Sequence, residues 1–317
     1  MVKTNLRFLL CIAFAALLHA GCSDREPTGP YLYVLGIAQD GGAPQAGSFD
    51  HAAWSDPKAR RLPVSLGLID PAEGRRWLFE ATPAFPEQLH RLHTESTPVE
   101  GENLLDGIFL THAHIGHYTG LVHLGHEVMG ADQVPVYTMP RMANFLELNG
   151  PWSQLIDYQN IVINRMQAAL PVHLGGDITV TPIAVPHRQE FSEVVGFRIE
   201  GPKRSVLFIP DIDSWEEWDE LGVRIEDEIK KVDVALLDGT FFENGEIPGR
   251  DMSDFPHPFI THSLERFSKL SKREKKKIRF IHLNHTNPAL VAKSDAWKKV
   301  ISRGFRIAEE GERISLD

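Results

Sequence analysis

Apolar and polar positions along this chain fall into short blocks separated by turns, with few long periodic runs. YLYVLGIA (31–38), SLGLID (65–70), RWLFEA (76–81), VPVYTMP (134–140), IVINRM (161–166), VVGFRIE (194–200), SVLFIPD (205–211) and IRFIHLN (278–284) read as strands. PAEGR (71–75) between the second and third of these predicts a β-hairpin. GIFLTHAH (107–114), ITVTPIAVPH (178–187) and VDVALLDGTF (232–241) are strands that run into polar or histidine-bearing ends. Helical spacing marks FPEQLHRLH (85–93), TGLVHLGHEVMG (119–130), RMANFLELN (141–149), WEEWDELGVRIEDEIKK (215–231), ITHSLERFSKL (260–270) and LVAKSDAWKKVISRG (290–304). GFRIAEEGERISL (304–316) is expected to close the chain as a strand pair. Strands alternating with helices predict an α/β fold, with a site built where polar loops follow strand ends.

The first residues follow a different logic. Lys3 and Arg7 precede the apolar run FLLCIAFAALL (8–18), which is too short for a comfortable membrane span. Ala20-Gly21-Cys22 then resembles a lipobox, although His19 stands where leucine is usual. The expected organisation is a signal peptide over 1–22, a polar tether over 23–30 and one domain over 31–317. An uncleaved anchor, or an ordinary signal peptide cut near the same place, is the alternative. The expected location is outside the cytoplasm, as a membrane-anchored lipoprotein of the periplasm or cell surface, touching the membrane only through its lipid. Cys11 and Cys22 are the sole cysteines, so the domain has no disulfide, no thiolate metal site and no cysteine nucleophile. The net charge of -10 argues against a nucleic-acid surface. The one dense basic run, KLSKREKKK (269–277), reads as a solvated helix end or loop.

With 15 histidines in 317 residues, three within six positions are a strong signal. His112, His114 and His117 in THAHIGH predict a nitrogen site for zinc, iron or manganese. Strand alternation is expected to put His112 and His114 on one side, and the turn through Gly116 to bring His117 back beside them. Three later strand ends offer further ligands: His187 after ITVTPIAVP, Asp211 after SVLFIP, and His282 or His285 after IRFI. A metal with three histidines and one carboxylate keeps a position for water, whose pKa it lowers from about 15.7 to near 7. Asp238 in LLDGT orients a ligand histidine or caps its turn, and Asp40 in QDGG lies at the site rim or caps its own turn. His123 and His126 read as exposed helix positions rather than a ligand pair. Trp152, Trp215 and Trp218 read as packing residues rather than a substrate mouth.

The order THAHIGH, VPH, FIPD, FIHLNH resembles the ligand order of the metallo-β-lactamase fold superfamily, whose first motif is HxHxDH. Within it the chain is most similar to the pyrroloquinoline quinone biosynthesis protein B family. VLGIAQDGGAPQ, EATPAF, LLDGTFF, FPHPFITHSL, IHLNHTNP and GFRIAEEGERISL carry that likeness, over about residues 31–317. The resemblance implies a four-layer αβ/βα sandwich with metal at one edge, between two sheets. It implies a first site of His112, His114 and His187, with Asp211 as fourth ligand or bridge, and a second of His117, Asp211 and His282. Zinc is the implied ion, one or two per chain, with iron or manganese as alternatives. Catalytic roles fall to Asp211 and to His257, which resembles a histidine that donates a proton or binds substrate; a surface-loop histidine is the other reading. Gly116 departs from the motif, because the superfamily has an aspartate there, and it leaves the second site short of one carboxylate. The cysteine cluster that holds structural zinc is replaced by GSFDHAAW (47–54), and export fits poorly with a cytosolic cofactor pathway.

The expected activity is metal-dependent hydrolysis of an ester, lactone, amide or phosphodiester in a small-molecule substrate, through a metal-bound hydroxide. The alternatives are an iron-dependent oxygenase like the biosynthesis protein, or a non-catalytic binding or carrier protein with a depleted site. Substrate choice is expected to lie with loops 40–58, 140–175 and 241–262. The sequence leaves the oligomeric state open.

Overall fold

The computed structural model describes residues 27–317, so the expected signal, lipobox and first tether residues lie outside the described residues. The first strands in chain order are β1 (Tyr31–Gly36), β2 (Ser65–Asp70), β3 (Arg75–Phe79), β4 (Gly107–Phe109), β5 (Val134–Thr138) and β6 (Ile161–Arg165). The next are β7 (Val172–Gly175), β8 (Ile178–Ala184), β9 (Val195–Glu200), β10 (Ser205–Ile209), β11 (Val234–Asp238), β12 (Ile278–Ile281) and β13 (Arg306–Ile307), and β14 (Arg313–Ser315) ends the chain. Two seven-stranded mixed sheets result, ordered β14-β1-β2-β3-β4-β5-β6 and β13-β12-β11-β10-β9-β8-β7.

Side-chain alternation explains how the sheets stack. Leu66 and Leu68 on β2, with Trp77 and Phe79 on β3, turn into a core shared with Val180, Phe197, Phe208, Val234 and Leu236 of the second sheet. Phe79 stacks on Phe109 at 5.0 Å and meets Phe197 edge-on at 5.4 Å, which ties the sheets together. The opposite faces are covered by helices. Leu78 and Ile69 pack beneath α1 (Phe85–Glu95), and Ala235 and Leu237 pack with Trp215, Ile229 and Leu264. Strands buried on both faces read as continuous apolar runs, and this is the four-layer sandwich the resemblance implied.

Several expected elements change. β4 stops at Phe109, so the histidine cluster follows the strand instead of ending it. The helix expected over 119–130 is a short helix α2 (Ile115–Tyr118) running into a 3₁₀ turn (Thr119–Leu124). The helix expected over 215–231 is two helices, Trp215–Glu220 and Ile225–Lys230, because Gly222 adopts φ +84° and ends the first. β13 and β14 do not pair with each other; one joins each sheet. β7 and a helix at Trp152–Asp157 were not expected. The basic run forms a helix, Lys272–Lys277, with a capping box from Ser271 and Glu274. Trp215 and Trp218 are fully buried packing residues. Among the described residues, no helix is long and apolar enough to cross a membrane.

Candidate metal centre

β1, β3, β4, β8, β10, β11 and β12 point their C-terminal ends to one edge of the sandwich. Asp40, Glu80, the cluster His112–His117, His187, Asp211, Asp238 and His282 follow those ends and converge there. Strand C-ends are where α/β sheets gather ligand-binding loops.

Two groups of donors share Asp211. In the first, His112 Nε2 lies 2.8 Å from His114 Nδ1, and His187 Nε2 lies 3.2 Å from the same atom. Asp211 reaches this group with Oδ1 3.9 Å from His187 Nε2 and Oδ2 3.7 Å from His112 Nε2. In the second, Asp211 Oδ2 is 2.9 Å from His117 Nε2 and 3.5 Å from His282 Nε2. Nitrogen and oxygen atoms bound to one ion at about 2.0–2.2 Å sit roughly 3.3 Å apart when tetrahedral. The observed spacings scatter around that value. His117 Nε2, His282 Nε2 and Asp211 Oδ2 are buried and make no hydrogen bond. Buried polar atoms are costly without a partner, and three that face one another fit a divalent ion.

Four of the five histidines also hydrogen-bond a partner through the far nitrogen, and the fifth, His117, has a carboxylate beside it without a hydrogen bond. Thr111 Oγ1 is 2.8 Å from His112 Nδ1, and His114 Nε2 donates to Glu190 at 3.1 Å. His187 Nδ1 donates to Asp213 at 2.7 Å. His117 Nδ1 lies 3.3 Å from Glu80 Oε1. His282 Nδ1 donates to Thr240 Oγ1 at 2.9 Å, and that hydroxyl donates to Asp238 Oδ1 at 2.7 Å. Such partners fix ring orientation and leave the inner nitrogen's lone pair free for a metal. Glu80 and Asp213 escaped the sequence reading, although Glu80 directly follows β3 and Asp213 stands two residues after Asp211.

Electrostatics keep His112, His114, His282 and Asp211 in binding form. Burial holds His112 well below the ordinary histidine value, and lowers His114 and His282. Burial opposes the charge of Asp211, but His282 and His117 outweigh it and hold its carboxyl well below the carboxylate range. His117 runs the other way: burial disfavours its charge, yet Glu80 and Asp211 raise it well above the usual value.

His257 is buried at the same place, with Nδ1 donating to Asp238 Oδ2 at 2.7 Å and lying 3.5 Å from Asp211 Oδ1. The surface-loop reading therefore fails. Burial disfavours its charge, but the Asp238 carboxylate wins and lifts the imidazole to about 9. His257 also lines a cavity of about 550 Å³, with Arg188, Asp213, Ser214, Phe255 and His262. His285 stays outside the cluster, beside His51. His126 is exposed and His123 half-buried, stacking on Phe85. Asp40, Glu80, His257 and His282 all have positive φ, from +26° to +89°. Left-handed backbone is costly for non-glycine residues, and here it gathers at the site.

A sandwich of two helix-covered sheets, with histidines and an aspartate at one edge, defines the metallo-β-lactamase fold class. The Beta-lactamase superfamily domain matches residues 75–278, and the chain belongs to that superfamily. It is 26% identical over 318 residues to coenzyme PQQ synthesis protein B of Xanthomonas axonopodis pv. citri (strain 306), covering 90% of this chain and 99% of that one. Among solved structures it is similar to Zn(2+)-bound PqqB from Methylobacterium extorquens, with TM-score 0.74 and 21% identity over 90% of this chain and 100% of that one. It is also similar to a diphosphatase from the PhnP family, with TM-score 0.62 and 22% identity over 90% of this chain and 96% of that one. The chain is thus a PQQ-synthesis-protein-B-like member of the superfamily.

Proposed function

We propose that this protein is a metal-dependent hydrolase of a small-molecule ester, lactone, amide or phosphodiester. The observation that carries this reading is the set of buried donor atoms without a hydrogen bond on His117, His282 and Asp211, beside a second set on His112, His114 and His187. A divalent ion held there supplies Lewis acidity and makes water a nucleophile near neutral pH. His112, His114 and His282, kept neutral by burial, offer nitrogen lone pairs, while Asp211 stays ionised and spans both groups. His257 keeps a proton at neutral pH, because Asp238 stabilises its charge, and it donates that proton to the leaving group. The cavity beside His257 receives the substrate.

The test is a panel of chromogenic esters, lactones, amides and phosphodiesters offered to the protein loaded with zinc, manganese or iron. Turnover that needs the ion and vanishes in Asp211→Asn is expected; a folded, metal-loaded chain inert on every substrate sinks the proposal. An iron-dependent oxygenase is the second reading, favoured by the likeness to PQQ synthesis protein B and by a histidine–carboxylate donor set that also suits iron(II). Bound iron with oxygen consumption selects it; zinc or manganese with hydrolysis selects the first. We also propose the exported, lipid-anchored form, on the order of charged, apolar and Ala20-Gly21-Cys22 segments. Palmitate labelling of the full chain that survives Cys22→Ala rejects it.

A further inference from the structure

Gly116 occupies the position of the superfamily's motif aspartate, and the second group of donors, His117, His282 and Asp211, needs one more carboxylate. A side chain at 116 has no room. A Cβ built on Gly116 would overlap Asp40 Oδ1, and would lie 2.5 Å from Asp40 Cα and 2.8 Å from Asp40 Cβ. The space that a residue-116 carboxylate would fill is already taken by the carboxylate of Asp40.

We propose that Asp40 is the missing metal ligand: the carboxylate has moved from the histidine motif to the loop after β1, and the protein keeps a complete second metal site. This rests on the metal-centre reading above. Asp40 Oδ1 lies 3.3 Å from His117 Nε2 and 4.0 Å from His282 Nε2. Asp40, His117 and His282 each offer a donor atom within 4.8 Å of the other two. Asp211 Oδ2 lies 2.9 Å from His117 Nε2 and 3.5 Å from His282 Nε2, and the atoms of His117, His282 and Asp211 are buried and lack hydrogen bonds.

The backbone explains how so distant a residue arrives. Gln39 N donates to Leu283 O at 2.9 Å, and Leu283 N donates to Ile37 O at 2.9 Å. Residues 37–39 are therefore stitched to the residue after His282, and Asp40 is the next residue along. It turns inward at φ +26°, a conformation few side chains hold, and Gly41 and Gly42 carry the chain away. A turn-capping aspartate would need a backbone N–H in its own turn, and no such bond is present: Gly42 N donates to Gln39 O.

The test is a reciprocal swap read by metal content, with no substrate involved. Wild type, Asp40→Asn, Gly116→Asp and the double variant Asp40→Gly/Gly116→Asp are loaded with zinc, dialysed and counted by elemental analysis. Thermal unfolding in chelator reports the fold of each. Wild type is expected to hold two ions and Asp40→Asn one. Gly116→Asp alone is expected to unfold at lower temperature, because it collides with Asp40. The double variant is expected to regain two ions, since glycine suits the positive φ at 40 and the vacated space admits an aspartate at 116. Two ions retained with unchanged affinity in Asp40→Asn overturn the proposal, as does a folded double variant that holds one. One ion in wild type also overturns it while leaving the metal centre standing; no ion in wild type removes the metal-centre reading itself.

Discussion

The two sheets supply the metal centre in different ways. The first sheet gives three histidines from one loop, His112, His114 and His117, within six residues of chain. The second gives one residue per strand end: His187 after β8, Asp211 after β10 and His282 after β12. The first set is built by local geometry, since His117 N donates to His114 O and starts a short helix there. The second exists only once parallel strands stand in register, as β10, β11 and β12 do. A local motif thus announces the site, and long-range pairing completes it.

The largest expected break is at Asp211, where the two donor groups meet. Asp211→Asn is expected to bring metal content below that of wild type and hydrolysis to background, measured by elemental analysis and turnover on one folded sample. His257→Gln comes next. It should lower kcat about 100-fold or more, the usual scale for a lost proton donor, with metal content unchanged. Because His257 holds its proton up to about 9, turnover should fall as pH rises through that value in wild type, and the variant should lack that limb. A flat alkaline profile in wild type removes His257 from the proposed role.

Outer partners compare the sheets directly. Asp213→Asn disturbs His187 of the second sheet, and Glu80→Gln disturbs His117 of the first. Each is expected to weaken zinc binding about 10–100-fold, by competition with a chelator. A loss in one variant only would mean that one sheet holds its histidine by packing alone. At the small end, His126→Ala should change stability by less than about 0.5 kcal/mol and leave metal content alone, since that ring is exposed.

Much of this plan was legible in the chain. Apolar blocks ending in a histidine or acid marked β8, β10, β11 and β12, because strands covered on both faces must be apolar until they emerge at the edge. Partnership was not legible. GFRIAEEGERISL carries two strands, but nothing in its pattern says that β13 joins β12 while β14 crosses to β1. The split of 215–231 hides in Gly222, a residue that also occurs inside helices. Glu80 looks like any acid after a strand, and its role depends on His117, 37 positions later, folding back against it (117 − 80). Asp40 looks like a turn residue and Gly116 like the loss of a ligand, and only their contact joins the two.

The pairing of β1 with β14 has a consequence for handling the molecule. Tyr31 faces Ser315, and Leu316 N donates to Pro30 O at 2.8 Å, so both chain ends of the domain meet at one place. β1 runs from there toward Asp40, six residues that span roughly 20 Å at the usual strand rise. Chain entry and exit therefore sit at the sandwich edge opposite the histidines. A tag, fusion partner or solid support joined ahead of Pro30 would leave the working edge facing outward, oriented by the fold itself.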